Sequence, residues 1–278
     1  MIPAAFDYQR ASSADEAISL LTEHGDEAKL LAGGHSLLPL MKLRLATPAM
    51  LIDVGRLTDL SYIRDAGDHV AIGALTRHRD LEVSDVLRAD APILAHAASH
   101  VGDPQVRHRG TIGGSLAHSD PASDLPAVLL ALGATFVATG AGGTTRDIAV
   151  DDFFTGYFES ALADDELLTE IRVPKLTDVG WSFQKFNRRA QDWAIVGVAA
   201  VHGPDHSGIG LVNMGSTPLR AAATEAALRT GSGIADAASL ADEGTDPSAD
   251  LNASEEYRRH LARVLVRRAL EDAARVTA

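Results

Sequence analysis

The hydrophobic and polar positions along the chain change period several times, which predicts short helices and strands in alternation. Residues 13–24 open with a capping box, a serine followed three residues later by a glutamate, and continue with apolar positions at helical spacing. Two apolar runs, residues 29–32 and 50–54, are typical of buried strands, and residues 37–45 between them are expected to form a helical turn. This β-α-β succession predicts an α/β unit over residues 1–56.

A second unit of the same kind is predicted over residues 57–175. Its strands are expected at residues 69–72, 135–139, 146–150 and 167–173, and its helices at residues 76–83, 91–101 and 126–132. Over residues 176–278 the pattern changes, because three apolar stretches separated by turns predict a small antiparallel sheet. Thr217 is placed to cap one helix of this last part and Ser254 to cap a longer one. The predicted class is α+β: two α/β subdomains, then a C-terminal domain of small antiparallel sheet and helices.

Two glycine pairs stand out against this background. The first glycine loop is residues 32–36 (AGGHS) and the second glycine loop is residues 111–115 (TIGGS). Each is predicted to be a turn that leaves an apolar strand, where glycine lets a ligand approach the backbone and successive N–H groups form a nest for an anion. Two nests suit the diphosphate of a dinucleotide. Neither loop matches the P-loop or the Rossmann fingerprint.

The composition of the chain argues against several classes of function. The chain has 278 residues, a formal net charge of −13 and no cysteine. The negative charge argues against nucleic acid and anionic membranes as partners. No apolar run is long enough to cross a membrane and no signal peptide is visible, so a cytoplasmic location is expected. Without cysteine the chain has no disulfide, no thiol nucleophile and no cysteine-ligated iron–sulfur cluster.

The two glycine loops, together with residues 120–124 (DPASD), Lys185 and residues 257–259 (YRR), resemble the FAD-binding medium subunits of molybdenum hydroxylases. Carbon monoxide dehydrogenase medium subunits and the flavin domain of xanthine dehydrogenase are members of this family. The resemblance covers nearly the whole chain. It implies that the two α/β subdomains hold FAD between them and that residues 176–278 are the C-terminal flavoprotein domain.

The same resemblance implies partners and a role. FAD would pass electrons from the iron–sulfur clusters of a small [2Fe-2S] subunit to an external acceptor, beside a large molybdenum-cofactor subunit, in a dimer of heterotrimers. The absence of cysteine agrees with clusters on another chain and excludes the 4-hydroxybenzoyl-CoA reductase branch, whose corresponding subunit holds a cluster. Two alternatives stay open: a nucleotide-binding protein without redox turnover, and a stand-alone flavin oxidase. The sequence names neither the substrate nor the acceptor.

The residues that the resemblance assigns to FAD are the two loops and further single positions. Asp124 would accept hydrogen bonds from sugar hydroxyls, and Trp193 would lie near the flavin ring. Ser115 stands where many members have asparagine. No catalytic residue and no metal ligand is assigned. The full set is Ala32, Gly33, Gly34, His35, Ser36, Gly102, Thr111, Ile112, Gly113, Gly114, Ser115, Asp124, Leu168, Lys185 and Trp193.

Some of these residues, and a few others, have a simpler interpretation that the sequence leaves open. Trp193 can be a core residue, and Asp124 can cap the helix that contains Pro126. The basic pair Arg107 and Arg109 can steer an anion or form surface ion pairs. A histidine pair four residues apart, at positions 96 and 100, has the spacing of metal ligands, but no third ligand completes it.

Overall fold

A computed structural model describes residues 2–204 and 206–276, and its three main sheets each come from one stretch of the chain. The first sheet lies within residues 7–53, the second within residues 63–174 and the third within residues 180–220. The α+β class is therefore confirmed. The domain boundaries at residues 56 and 175 stay a prediction, although each of these sheets falls on one side of them.

The first sheet is parallel in both of its strand pairs, with the order β1-β3-β2. Its elements are β1 (Asp7–Arg10), α1 (Ala14–His24), β2 (Ala28–Leu31), α2 (Leu37–Leu43) and β3 (Met50–Asp53). Ser13 caps α1 through its hydroxyl, which accepts from the Glu16 N–H at 3.1 Å. The first glycine loop joins the carboxyl end of β2 to α2, the edge of a parallel sheet where ligands bind in α/β folds.

The second sheet is antiparallel throughout, with the order β4-β5-β10-β6-β7. The elements of this part are β4 (Ile63–Asp65), β5 (His69–Gly73), α3 (His78–Val83), α4 (Asp85–Asp90), α5 (Pro92–Ser99), α6 (Pro104–Arg107), α7 (Ile112–His118), α8 (Asp124–Leu132), β6 (Thr135–Thr139), β7 (Thr145–Ala149), α9 (Val150–Phe153), the small hairpin β8 (Phe154–Gly156) and β9 (Glu159–Ser160), and β10 (Leu167–Pro174). Fully buried side chains such as Ile72, Phe136 and Phe153 form its core.

The third sheet is antiparallel and follows the order β11-β12-β13-β14. The elements are β11 (Gly180–Phe186), β12 (Val196–His202), β13 (Ser207–Val212), β14 (Leu219–Arg220), α10 (Ala222–Arg229), α11 (Ile234–Ala238) and α12 (Glu255–Val276). The Ser254 hydroxyl accepts from the Tyr257 N–H at 3.2 Å, which confirms the cap of α12. The predicted cap at Thr217 is wrong, because Leu219 pairs with Leu211 as strand and α10 begins only at Ala222.

Helix α8 lies between the second and third sheets and connects the two cores. Ala199 and Val201 of β12 and Phe183 of β11 belong to the same buried cluster as the apolar face of α8. This packing brings β11 to the start of α8, where Asp124 lies. In the part of the chain that the structure describes, no helix is long and apolar enough to cross a membrane.

Candidate functional site

A cavity of about 700 Å³ lies where the three parts of the chain meet. Such a volume is in the range of cofactor pockets. The predicted FAD positions that line it are Ala32, Gly33, Gly34, His35, Ser36, Gly102, Thr111, Gly113, Gly114, Ser115, Asp124, Leu168, Lys185 and Trp193. Ile112 does not line the cavity, because its side chain is fully buried in the apolar core behind the second glycine loop.

The first glycine loop lines this cavity with all five of its residues. Gly34 has φ +77°, a left-handed conformation that a residue with a Cβ rarely adopts. Within residues 2–204 and 206–276, the backbone N–H groups of Gly33, Gly34, His35 and Ser36 have no hydrogen-bond acceptor. Successive unpaired N–H groups in a curved backbone are a binding site for an anion. The first glycine loop therefore has the free donors that the predicted nest requires, and anion binding there stays a prediction.

The second glycine loop has a different structure from the predicted turn. It follows α6 instead of a strand, and its glycines lie in the first turn of α7, which Thr111 caps. The Thr111 hydroxyl accepts from the Gly114 N–H at 3.2 Å, and the Ala74 carbonyl accepts from the Gly113 N–H at 2.8 Å. The Ser115 N–H donates to the Thr111 carbonyl at 3.0 Å. The prediction of a second nest is thus wrong, because the N–H groups are already bonded within the fold.

The two glycine loops nevertheless lie side by side. A Cβ placed on Gly33 would come within 2.5 Å of the Arg109 carbonyl oxygen, and one placed on Gly114 would lie 3.9 Å from the Ala32 Cβ. The guanidinium of Arg77 donates to the carbonyl oxygens of Arg109 and Gly55, so it links the two subdomains at this point. The second glycine loop therefore forms a wall of the cavity beside the nest.

A buried ion pair lies in another part of the cavity wall. Lys185 Nζ is 2.6 Å from Asp124 Oδ2, and the two side chains are only 8% and 6% exposed. Lys185 also donates to the His100 carbonyl at 2.9 Å. Burial raises the pKa of Asp124, and the neighbouring Lys185 opposes that rise. The alternative in which Asp124 is only a helix cap is wrong, since its carboxylate faces Lys185 from β11.

One oxygen of this carboxylate is left over. Asp124 Oδ1 is buried and has no hydrogen-bond partner in the described part of the chain. An unpaired buried acceptor costs free energy unless a ligand or water supplies a donor. Because Asp124 lines the cavity, its free oxygen is an acceptor suited to a hydroxyl group of a bound molecule.

Trp193 lies on the loop between β11 and β12 and is 54% exposed. The alternative in which it is a core residue is therefore wrong. The residues just before it in the loop, Gln191 and Asp192, line the cavity too. An exposed indole at the rim of a cavity can cover a flat ring.

Of the basic pair near the second glycine loop, Arg107 forms an ion pair, and neither interpretation is shown for Arg109. Arg107 Nε lies 3.0 Å from Glu82 Oε2, and its guanidinium also donates to the Val101 carbonyl, so Arg107 forms an ion pair. The Arg109 guanidinium has no ion-pair or hydrogen-bond partner among the residues described, and it does not line the cavity. No group of three or more potential metal ligands is found in residues 2–204 and 206–276. His96 instead packs against Trp181.

Sequence reasoning missed several residues of the cavity wall. His78, at the start of α3, is 4% exposed, and its Nδ1 atom has no partner among the described residues. At another part of the wall, the Glu166 carboxylate accepts from Nε and Nη2 of Arg146, each at 2.7 Å, and from the Ala163 N–H at 2.8 Å. These hydrogen bonds fix the loop before β10. Neither residue belongs to a motif, and burial is not readable from sequence. The other missed wall residues include Leu21, Gly25, Leu30, Asp120 and Leu162.

Two family models together match almost the whole chain. Residues 4–176 match the FAD binding domain in molybdopterin dehydrogenase, and residues 181–273 match the CO dehydrogenase flavoprotein C-terminal domain. The carbon monoxide dehydrogenase medium chain of Hydrogenophaga pseudoflava is 42% identical over 98% of both chains. The 6-hydroxypseudooxynicotine dehydrogenase complex subunit alpha of Paenarthrobacter nicotinovorans is 40% identical over 98% of this chain and 96% of the relative.

Solved structures agree with these sequence matches. Carbon monoxide dehydrogenase from Hydrogenophaga pseudoflava, in a form that lacks the Mo-pyranopterin moiety, superposes with a TM-score of 0.96 over 100% of both chains, at 42% identity. Quinoline 2-oxidoreductase from Pseudomonas putida 86 superposes with a TM-score of 0.92 at 30% identity, over 100% of this chain and 99% of the other.

Proposed function

The chain belongs to the FAD-binding medium subunits of the molybdenum hydroxylase family, and from that membership we propose that it transfers electrons through FAD to an external acceptor. The observation that carries the proposal is the set of polar groups in the residues that line the cavity. The first glycine loop has four unpaired backbone N–H groups, and Asp124 has an unpaired buried carboxylate oxygen. Those are the groups needed for an anionic diphosphate and for a sugar hydroxyl.

The residues present fit FAD in three respects. The cavity volume of about 700 Å³ suits a large cofactor. The first glycine loop supplies donors at a place where glycine keeps the backbone accessible, and Asp124 Oδ1 supplies an acceptor. Trp193 provides an exposed aromatic surface at the rim. We assign the diphosphate to the first glycine loop, the hydroxyl-bearing chain to Asp124 and the ring cover to Trp193.

The protein's own part in this chemistry is to bind, orient and protect. FAD, when bound, supplies a ring that accepts and releases electrons, so no acid–base triad is needed on this chain. Lys185 opposes the rise that burial causes in the pKa of Asp124, and its hydrogen bond fixes the direction of the carboxylate, so that Oδ1 remains free for the cofactor. The loop before β12 controls access to the ring through Trp193.

The electron donor lies on another chain in this proposal. The sequence contains no cysteine that could hold an iron–sulfur cluster. Relatives of nearly equal length are called medium chains or subunits of a dehydrogenase complex, and one related structure is that of a Cu,Mo-CO dehydrogenase. We infer a small [2Fe-2S] subunit as the donor and a large molybdenum-cofactor subunit as the place of substrate chemistry, assembled as a dimer of heterotrimers.

An affinity tag on this chain, used in its own cell, tests the proposal. We expect a cysteine-rich small chain and a large molybdenum-containing chain to copurify, with an oxidised flavin spectrum. The oxidised flavoprotein chain is then mixed without oxygen with the dithionite-reduced small subunit, and flavin bleaching is followed. A complex that forms without bleaching would show a nucleotide-binding role without redox turnover. Substrate oxidation by this chain alone would support the stand-alone oxidase.

A further inference from the structure

The access loop, residues 187–195 between β11 and β12, brings Trp193 to the cavity. At its base the Ile195 N–H donates to the Phe186 carbonyl at 2.7 Å, which closes the loop as a hairpin. Over residues 190–193 the only hydrogen bond among the described residues is a local one, from the Trp193 N–H to the carboxylate of the preceding residue. The position of the indole therefore depends on how the two ends of the loop are held.

A buried arginine near the start of α12 holds the last residue of the access loop. Arg258 is 2% exposed, and its guanidinium donates to the Ile195 carbonyl. The same guanidinium pairs with the Asp250 carboxylate at 2.9 Å. Burying a charge is costly unless partners compensate for the lost water. The contact between α12 and the end of the loop is therefore a built one, and it does not come from a solvated side chain that only lies nearby.

The first part of the access loop is held by the turn just before α12. Arg188 Nη1 donates to Asn252 Oδ1 at 2.8 Å. The Asp250 carboxylate in turn accepts from the Asn252 N–H at 2.8 Å, from Asn252 Nδ2 at 3.2 Å and from the Ala253 N–H at 3.0 Å. One carboxylate thus fixes both Asn252 and Arg258, the residues that hold the two ends of the loop.

We propose that Arg188, Asn252 and Arg258 are positioning residues, which hold the access loop so that Trp193 stays over the flavin ring. None of these three is among the described residues that line the cavity, so each acts through the loop. The inference rests on the proposed function, because it takes the flavin ring as the group that Trp193 covers. It also gives a role to the YRR motif at residues 257–259, whose central residue is the buried arginine.

The test uses the indole of Trp193 as the probe, in full-length chains that carry Trp181→Phe. Trp181 is the only other tryptophan, so all indole emission then comes from the access loop. Arg188→Ala removes the bond to Asn252. The matched control is Arg189→Ala, which removes the same charge from a neighbouring exposed side chain with no partner among the described residues. In the flavin-free chain, we expect Arg188→Ala to lower the fluorescence anisotropy of Trp193 and Arg189→Ala to leave it unchanged.

The same variants loaded with FAD report on the ring. An indole over the flavin quenches flavin emission and shields the ring. Arg188→Ala should therefore raise both the emission and the rate of flavin reoxidation by a small acceptor by about threefold, the size expected from one hydrogen bond. Arg188→Lys keeps a donor and should restore most of the parent value. Asn252→Ala should add little to Arg188→Ala, because both changes break the same bond.

The test depends on Arg188 because its side chain is exposed, whereas a change of the buried Arg258 can prevent folding. Equal anisotropy for Arg188→Ala and Arg189→Ala would overturn the inference. A fall in anisotropy without any change in flavin emission would overturn the link between the loop ends and the ring. A parent chain that binds no FAD would instead overturn the proposed function, and the flavin-free anisotropy would still decide whether Arg188 holds the loop.

Discussion

The two glycine loops share a glycine pair and a final serine but have different roles in the structure. In the first, the N–H groups of residues 33–36 have no acceptor among the described residues, the loop lines the cavity, and Gly34 has a left-handed conformation. In the second, the corresponding N–H groups donate to Ala74 and Thr111, and the glycines are part of helix α7. The first loop therefore keeps donors free for a ligand, whereas the second packs against Ala74.

The difference originates in the first residue of each glycine loop. Thr111 has a hydroxyl that caps a helix, so α7 begins immediately and the glycines fall in its first turn. Ala32 has no such group, and α2 begins only after Ser36. A glycine pair alone therefore does not indicate a ligand site. What matters is whether a neighbouring side chain uses the N–H groups before a ligand can.

The largest effect is expected at the packing loop. Gly113→Ala would place a Cβ 2.6 Å from the Ala74 Cβ and 2.7 Å from the Ala74 carbonyl oxygen, atoms that cannot rotate away. We expect the free energy of unfolding to fall by about 3 kcal/mol, the upper end for overpacking. Urea unfolding measures it, with Gly140→Ala as the control, because its nearest neighbour is at 3.4 Å. An effect no larger than the control would show that the second loop is not a packing element.

The next largest expected effect is a loss of folding stability in acid, caused by the buried imidazole of His78. Its pKa is about 4 in the folded chain and 6.5 as the reference value. Between these two pH values the unfolded chain binds a proton at His78 that the folded chain does not. The contribution of His78 to the free energy of unfolding is therefore fully present above pH 6.5 and falls as the pH is lowered towards 4. At about pH 5 the loss from this residue should be about 2 kcal/mol.

The measurement for this pH dependence is the difference between wild type and His78→Leu in urea unfolding at about pH 8 and about pH 5. His96, His118 and His202 also have lowered pKa values and contribute with the same sign, but they cancel in the difference. Parallel stability curves for the two proteins would contradict the assignment of a buried neutral imidazole.

At the binding loop the expected effect is on affinity. Gly34→Ala forces a Cβ onto a residue with φ +77°, so the backbone must turn and its N–H groups lose their direction. We expect FAD affinity to fall by about tenfold or more, which corresponds to at least about 1.4 kcal/mol. Flavin fluorescence titration measures it. Gly142→Ala is the control, since it carries similar strain at φ +68° outside the cavity, and it should leave the affinity unchanged.

Much of the fold could be predicted because local patterns determine it. The apolar stripe of α1, the strand β6 and the serine cap of α12 are each visible in a few neighbouring residues. Strand β1 was missed because most of its side chains are exposed and only backbone pairing with β3 holds it. Thr217 failed as a helix cap because pairing of Leu219 with a distant strand outweighed the local signal.

Less of the candidate site than of the fold could be predicted from the sequence. Family resemblance pointed to Asp124 and Lys185, but the sequence did not show that residues this far apart form one buried pair. Neither the unpaired Asp124 Oδ1 nor the burial of His78 has a sequence signal, since both depend on which helices pack around them. The contrast between the two glycine loops also required the hydrogen bonds, which a motif does not contain.

The smallest expected effect is also the most direct test of that contrast. Thr111→Val removes the hydroxyl that accepts from the Gly114 N–H, so the second loop gains one unpaired donor and becomes more like the first. We expect a loss of about 1 kcal/mol in the free energy of unfolding, as for other helix caps. Thr111→Ser keeps the hydroxyl and should retain most of the stability. FAD affinity should stay within about twofold in both variants, because the other N–H groups of the loop remain bonded to the fold. A marked rise in affinity for Thr111→Val would mean that the freed N–H reaches the ligand, and that the cap alone separates the packing loop from a second nest.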